Sequence, residues 1–435
     1  MNKNQDISGC LKDHIGSFGL TNEEFSHWKK RAEDALRHLP LTTMAPLTIT
    51  WDQDDLPPLL ALAEKLREKF STILVFGTGG SSLGGQTLSR LAPTCPHSPR
   101  KLAKKVRVRY VDNIDPDTFA GLFKGDDLKN TGVIVISKSG ETAETLMQMI
   151  YALQVYEEGG LTEEISQHFY GITEDKPSSM TQLAKAYSIP LLPHHPQIGG
   201  RFSIFSNVAL LPAFIEGVDG AALRKSAAAS LELALQAPQD HPAMVGAAVT
   251  AGLSFCRGIQ SVVVMPYLDK MSEFGLWYRQ LWAESLGKMG KGMTPLLSMG
   301  TVDQHSQLQL YLDGPRDKLF TLFMPEPHHR GSAVSSAHIP SSSLNFLKGR
   351  TMGDLLIAEA QATATTLMEK GCPTRCFTLG PYGEESLGSL LMHFMLETLI
   401  TAALWEVDPW TQPAVERGKL LTREFMARHH ESSHS

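Results

Sequence analysis

From Ser71 onward, short β-branched and apolar runs alternate with helix-patterned segments, and the alternation occurs twice along the chain. Strands separated by helical stretches pair in parallel, and the crossovers then cover both faces of the sheet. In the first half the strand candidates are Thr72 to Phe76, Val106 to Val111, Val133 to Ser137 and Phe169 to Ile172, with a helix over Glu144 to Glu157. In the second half they are Val262 to Met265, Leu296 to Met299, Leu319 to Met324 and Arg375 to Leu379. The expected class is α/β: doubly wound, mostly parallel sheets with helices on both faces. No fixed-period repeat is visible, so any kinship between the halves is architectural.

With 435 residues, 42% of them hydrophobic, the chain exceeds what one core organises beyond roughly 250–300 residues, so two domains are expected. The proline-punctuated stretch Pro190 to Pro196 and the Ala-rich helical segment Gly220 to Ala237, followed by Pro238 and Pro242, mark the crossover. The expected division is an N-terminal helical extension (1–50), a first α/β domain (51–219), a second (220–410), and a C-terminal helix and tail (411–435). The last helix, Pro413 to Arg428, carries Val415, Leu420, Leu421, Phe425 and Met426 as an approximate apolar face and is expected to pack back on the body. Glu326 to Arg350 reads as a polar excursion.

Forty basic against forty-six acidic side chains leave a net charge of −6, so no electrostatic footprint for nucleic acid or an anionic membrane stands out. The first twenty residues lack a continuous apolar stretch, which argues for the cytoplasm. The apolar run Ala243 to Cys256 is shorter than the about 20 residues of a membrane span, is closed by Arg257, and reads as a buried helix. The cysteines at 10, 95, 256, 372 and 376 form an odd, scattered set read as reduced thiols. No zinc is expected at Cys372 and Cys376, which lack a second ligand pair. The pairs His194-His195, His328-His329 and His429-His430 carry no metal-binding arrangement and are read as loops and a tail.

Gly77-Thr78-Gly79-Gly80-Ser81-Ser82-Leu83-Gly84-Gly85 follows a buried strand and opens a helix, where free backbone N–H groups and the helix dipole attract phosphate. The dinucleotide fingerprint fails because Ser82 stands where a third glycine is needed, and the nucleotide P-loop fails for want of a lysine at Gln86-Thr87. A tight turn whose glycines serve only backbone geometry is the alternative. Ser137-Lys138-Ser139-Gly140-Glu141-Thr142 occupies the same position after the strand Val133 to Ile136 and adds hydroxyls and an ammonium. Loops after neighbouring parallel strands face one crevice, so both could hold a phosphomonoester; ordinary helix caps remain the bland reading. Glu144 would support Lys138 or the helix start.

In Gly199-Gly200-Arg201-Phe202-Ser203 the glycine pair lets the backbone turn closely and aim a guanidinium at the crevice. Gln280 and Glu284 lie four apart on a helix with Phe274, Trp277, Leu281 and Trp282, so amide and carboxylate share a face and Glu284 is a candidate base. Its bland reading is an ion pair with Lys288 on a solvated face. His305 and Lys419, each taken alone, are ordinary surface residues.

Taken together, GTGGSSLGG, ISKSGETAET, GGRFS, QLWAESLGK, DQHS and VERGK occur in the order and approximate positions of the glucose-6-phosphate isomerase family, and the chain resembles its shorter bacterial forms over nearly its whole length. The resemblance implies two sugar-isomerase (SIS-type) domains, no cofactor and no metal. It also implies a homodimer with shared active sites and reversible conversion of glucose 6-phosphate to fructose 6-phosphate through a cis-enediol. Carried onto matching positions, Gly80, Ser81, Ser137, Lys138, Ser139 and Thr142 would bind the phosphate end and Gln280 would orient the sugar. Glu284 would move the proton between C1 and C2, Arg201 would stabilise the enediolate, and His305, supplied by the partner subunit, would open the ring together with Lys419. Ser139, Thr78 and Gly85 depart from residues common in the family and touch loop shape. The rival readings are a non-catalytic sugar-phosphate sensor, for which no basic DNA-reading module is apparent, and an isomerase that also accepts mannose 6-phosphate.

Overall fold

The computed structural model of the protein describes residues 5–91, 106–123, 128–326 and 330–432. Cys95, His328 and His329 lie outside the described residues, as do the side chains of His429 and His430. Ten strands are present among the described residues: β1 (Gln5–Asp6), β2 (Thr72–Phe76), β3 (Arg107–Val111), β4 (Thr131–Ile136), β5 (Phe169–Thr173), β6 (Leu191–Pro193), β7 (Ser261–Pro266), β8 (Thr294–Leu297), β9 (Lys318–Pro325) and β10 (Thr374–Leu379).

They form two five-stranded sheets, ordered β3-β2-β4-β5-β6 and β8-β7-β9-β10-β1. Every pairing in the first sheet is parallel. The second is parallel except at its edge, where β1 runs antiparallel to β10 with Asp6 opposite Cys376. Numbered along the chain within each half, both sheets wind in the order second, first, third, fourth. The fifth place is taken by β6 in one and by the start of the chain in the other. Strand β1 and the helix Asn22–His38 therefore attach to the second half, the helix packing on Pro242–Arg257.

The central strands are covered on both faces, which is why they read as unbroken apolar runs. Ile73 and Val75 of β2 and Ile134 and Ile136 of β4 face a core shared by both halves, whereas Leu74, Phe76, Val133 and Val135 face helices on the outer side. On β7 the same alternation sends Val262 and Val264 to the shared core and Val263 and Met265 outward. The shared core is a layer of helices between the two sheets, including Gly80–Ser89, Asn207–Ile215, Ser272–Leu286 and Glu384–Trp405. The last of these is long and apolar enough to cross a membrane, yet nearly all of it is buried in the protein. Pro242–Arg257 is the buried helix expected there.

Two expectations need correction, and one stretch holds an element that its prolines hid. The Pro190–Pro196 stretch contains β6, an edge strand that tolerates proline because only one of its sides needs backbone partners. The chain start holds a strand too short to show any periodicity. The C-terminal helix, Glu416–Ser432, does not pack back: Leu420, Phe425 and Met426 are 54%, 52% and 59% exposed. Among the described residues, that apolar face meets no groove. The excursion after β9 is, where described, two short 3-10 turns at Ser336–His338 and Ser342–Leu347, with Phe346 exposed.

Candidate active site

In the first sheet, β2 and β4 are neighbours while the chain between them visits β3 on the far side, so the winding reverses between these two strands. Loops leaving the carboxyl ends of strands at such a point diverge and open a crevice. After β2, Gly79 adopts φ +56° and turns the chain into the helix Gly80–Ser89. A Cβ on Gly80 would lie 2.1 Å from the carbonyl carbon of Gly200, so two glycine backbones lie against each other there. Ser203 Oγ donates to the Gly200 carbonyl at 2.7 Å and lies 3.2 Å from the Gly80 carbonyl, bridging the two glycines. The glycine pair Gly199-Gly200 thereby seats the 3-10 turn Gly200–Phe205, which carries Arg201, on the first loop.

After β4, the Ser137 and Thr142 hydroxyls are 3.0 Å apart, and Ser137 Oγ accepts the Gly140 N–H at 3.2 Å. Ser139 Oγ accepts the Glu141 N–H at 3.1 Å. The Glu141 carboxylate accepts from Ser179 N and Oγ at 2.7 and 2.8 Å, and these bonds hold its carboxyl below its usual pKa, with a further contribution from the charge of Arg423. Lys138 donates to the Pro196 carbonyl at 2.7 Å and pairs with Glu174 at 3.6 Å. Glu144 stands in the first turn of the helix Ala143–Glu158, so of its two expected roles the geometry favours the helix start.

Glu284 and Gln280 sit in the last two turns of Ser272–Leu286, the helix that follows β7 and packs against both Gly80–Ser89 and the Arg201 turn. Gln280 Nε2 donates to Glu284 Oε1 at 3.0 Å and lies 2.9 Å from where a Cβ on Gly79 would be. Arg201 Nη1 donates to Glu284 Oε2 at 3.1 Å. The pairing of Glu284 with Lys288 does not occur: the Lys288 ammonium instead caps the Glu284 and Ser285 carbonyls at 2.6 and 2.7 Å. Arg201 is 3% exposed, and burial draws its pKa down against the opposing field of Glu284. A guanidinium stays charged through such a shift. Glu284, 35% exposed at its side chain, opens toward solvent.

Four residues absent from the sequence reading complete the arginine's setting. Arg201 Nε donates to Ser285 Oγ at 2.9 Å, Nη2 to the Pro409 carbonyl at 2.5 Å, and Nη1 also to Gln412 Oε1 at 2.9 Å. Trp410 lies against Phe202 with ring centroids 4.9 Å apart. The signals available were Ser285 beside the candidate base and the dense Asp-Pro-Trp-Thr-Gln-Pro run, whose turn-forming residues mark a shaped segment.

Gly80, Ser81, Ser137, Lys138, Ser139 and Thr142 thus line the two loops, and Gln280, Glu284 and Arg201 gather beside the first. His305 and Lys419 are not gathered with them. His305 is exposed at the end of the turn Val302–Gln304 beyond β8, and Lys419 pairs with Glu416 at 2.7 Å on the exposed C-terminal helix. Among the described contacts neither touches Glu284 or Arg201. Lys419 is one turn from Arg423, whose field reaches Glu141, so this helix runs near the second loop.

Two hydroxyl- and N–H-rich loops with a lysine can hold an anion, and a carboxylate held against a guanidinium can exchange a proton with a carbon acid whose anion the guanidinium stabilises. Fold and crevice define a doubly wound α/β protein with a carboxylate–guanidinium pair set beside two loops able to hold an anion. The phosphoglucose isomerase family model matches residues 65–311, more than half the chain. A glucose-6-phosphate isomerase of Rubrobacter xylanophilus is 34% identical over 94% of this chain and 95% of its own length. One of Carboxydothermus hydrogenoformans is 31% identical over 97% of this chain and 90% of its own. A crystal structure described as a hypothetical protein from Thermus thermophilus superposes with TM-score 0.81 at 30% identity, covering 93% of this chain and 94% of that one. The chain belongs to the phosphoglucose isomerase family.

Proposed function

We propose that this protein interconverts glucose 6-phosphate and fructose 6-phosphate, with Glu284 as the single proton carrier. The observation that carries the reading is the Glu284 carboxylate held 3.1 Å from Arg201 Nη1 beside the two anion-binding loops. The phosphate is the handle, held by Ser137, Lys138, Ser139 and Thr142 and by the helix start at Gly80 and Ser81. His305 and Lys419 move the proton between the ring oxygen and O1 as the sugar opens. Starting from the aldose, Glu284 then takes the proton from C2, the electron pair shifts to give an enediolate beside Arg201, and the same carboxyl returns the proton to C1. The O1 proton gained and the O2 proton lost leave the ketose. General acid–base transfer contributes typically about 10² to 10⁴, so charge stabilisation by Arg201 supplies much of the rest.

In this reading the protein is a homodimer. The exposed apolar face of Glu416–Ser432 supports that, because an isolated helix gains little from presenting Leu420, Phe425 and Met426 to water. A second copy would cover that face and bring its own His305 to the crevice.

The test is to incubate the purified protein with fructose 6-phosphate and a divalent-metal chelator and to follow glucose 6-phosphate through a coupled dehydrogenase. Sustained turnover is expected. No turnover, or turnover only after adding a divalent ion, contradicts the reading. Mannose 6-phosphate in the same assay decides whether the second aldose is accepted.

A further inference from the structure

The guanidinium of Arg201 is held from two directions. One is the helix that carries Glu284, through Ser285 Oγ and Glu284 Oε2. The other is the turn after the helix Glu384–Trp405, through the Pro409 carbonyl and Gln412 Oε1. That turn is in irregular backbone, so something has to fix the direction of its carbonyl. Asp408 does so: its Oδ1 accepts the Trp410 N–H at 2.9 Å and its Oδ2 accepts the Thr411 hydroxyl at 2.7 Å. Together these bonds close an Asx-type turn around Pro409. The turn is anchored at both ends. Lys291 Nζ donates to the Trp405 carbonyl at 2.6 Å just before it, and Trp410 lies against Phe202, the residue after Arg201. Asp408 itself is exposed and touches neither the guanidinium nor the crevice through a hydrogen bond.

We propose that residues 408–412 form a clamp that sets the orientation of the Arg201 guanidinium, and that Asp408 is the positioning residue that shapes it. The proposal rests on the isomerase reading above. A guanidinium that must meet a developing enediolate works only when its donors already point there, and a displacement of about 1 Å can cost about a hundredfold in rate. Ser285 and Glu284 fix one edge of the plane, and the Pro409 carbonyl fixes the opposite edge. Without the turn, Nη2 loses its partner and Nη1 keeps only Glu284, so the plane is held along a single edge. The second loop, with Ser137, Lys138, Ser139 and Thr142, makes its hydrogen bonds away from this turn and keeps its geometry, so substrate still binds.

The test uses the full chain and compares wild type, Asp408→Ala, Asp408→Asn and Thr411→Val. Asparagine keeps an oxygen for the Trp410 N–H and can donate to the Thr411 hydroxyl, so it preserves the turn and removes only the charge. Expected are a fall in kcat of about ten- to a hundredfold for Asp408→Ala with KM nearly constant, recovery to near wild type in Asp408→Asn, and a smaller fall in Thr411→Val. Thermal unfolding and the mass in solution are measured on each variant. Unchanged kcat in Asp408→Ala overturns the proposal. So does an equal loss in Asp408→Asn, which would assign the effect to charge, or a loss that tracks a change in mass or melting temperature across the variants. The isomerase reading is tested separately by wild-type turnover, so inactive wild type and fully active Asp408→Ala are distinct failures.

Discussion

Lys138 rests on the Pro196 carbonyl and beside Glu174, and these contacts tie the ammonium to the segments that follow β6 and β5. Burial works to raise Glu174, but the Lys176 and Lys138 charges outweigh it and keep its carboxyl below the usual range, so the pair persists at neutral pH. A charge-assisted hydrogen bond to phosphate is worth about 1.5–3 kcal/mol, so Lys138→Ala should weaken substrate binding about ten- to a hundredfold while kcat changes little. Isothermal titration with fructose 6-phosphate checks this, and unaltered affinity would contradict it. Lys138 stood out in the sequence as an ammonium among hydroxyls just after a strand, and the fold does set it in the loop after β4. Asp408 and Gln412 did not stand out, since their part depends on a turn reaching a guanidinium some two hundred positions earlier, and no local pattern encodes that distance. Ser285 was hidden for the opposite reason: a buried serine on a helix looks like any other core position.

At the scale of elements, the helix that presents Gly80 and Ser81 is fixed at its other end by Ser89, whose hydroxyl bonds the Tyr110 hydroxyl at 2.8 Å and the Glu216 carboxylate. Glu216 caps the helix Asn207–Ile215, and burial pushes its carboxyl up to about 7, against the opposing Ser89 bond. A carboxyl raised in the folded state holds a proton that the unfolded chain releases, so the folded state gains most below the ordinary value of 4.5. That contribution is lost progressively as pH rises from 4.5 to about 7 and is absent above. Glu216→Gln should therefore stabilise the protein at pH 8 relative to wild type by on the order of 1–3 kcal/mol and leave stability at about pH 4.5 nearly unchanged. Urea unfolding at the two pH values reads the difference; equal slopes with pH in both proteins would contradict it. The elements themselves were largely readable. β2, at Thr72–Phe76, matches its expected bounds, because a five-residue run buried on both faces leaves little freedom of choice. β6 was obscured by Pro190 and Pro193, which local propensity counts against a strand although an edge position accepts them.

For the whole molecule, the two halves repeat one winding with no visible sequence repeat, since only the order of buried and turning segments has to be kept. The chain start completes the second sheet as β6 completes the first. No sequence window contains that pairing, because β1 and β10 lie at opposite ends of the chain. The C-terminal helix was legible as an amphipathic helix, but the direction of its apolar face was not: amphipathicity says that a face is covered, not by which chain. If a second copy covers it, Phe425→Glu should convert the dimer to monomers without unfolding, because Phe425 is 52% exposed in the single chain. Sedimentation of wild type and variant decides this, and a monomeric wild type, or a variant that stays dimeric, would contradict it. The crevice assembled from both halves has one working claim at its centre, that the Glu284 carboxylate carries the proton between adjacent carbons. The direct measurement is exchange of the C2 hydrogen of glucose 6-phosphate with solvent deuterium, by NMR, in wild type and Glu284→Gln. Exchange in wild type and none in the variant, with substrate still bound, is the predicted result; exchange persisting in Glu284→Gln at the wild-type rate would contradict it.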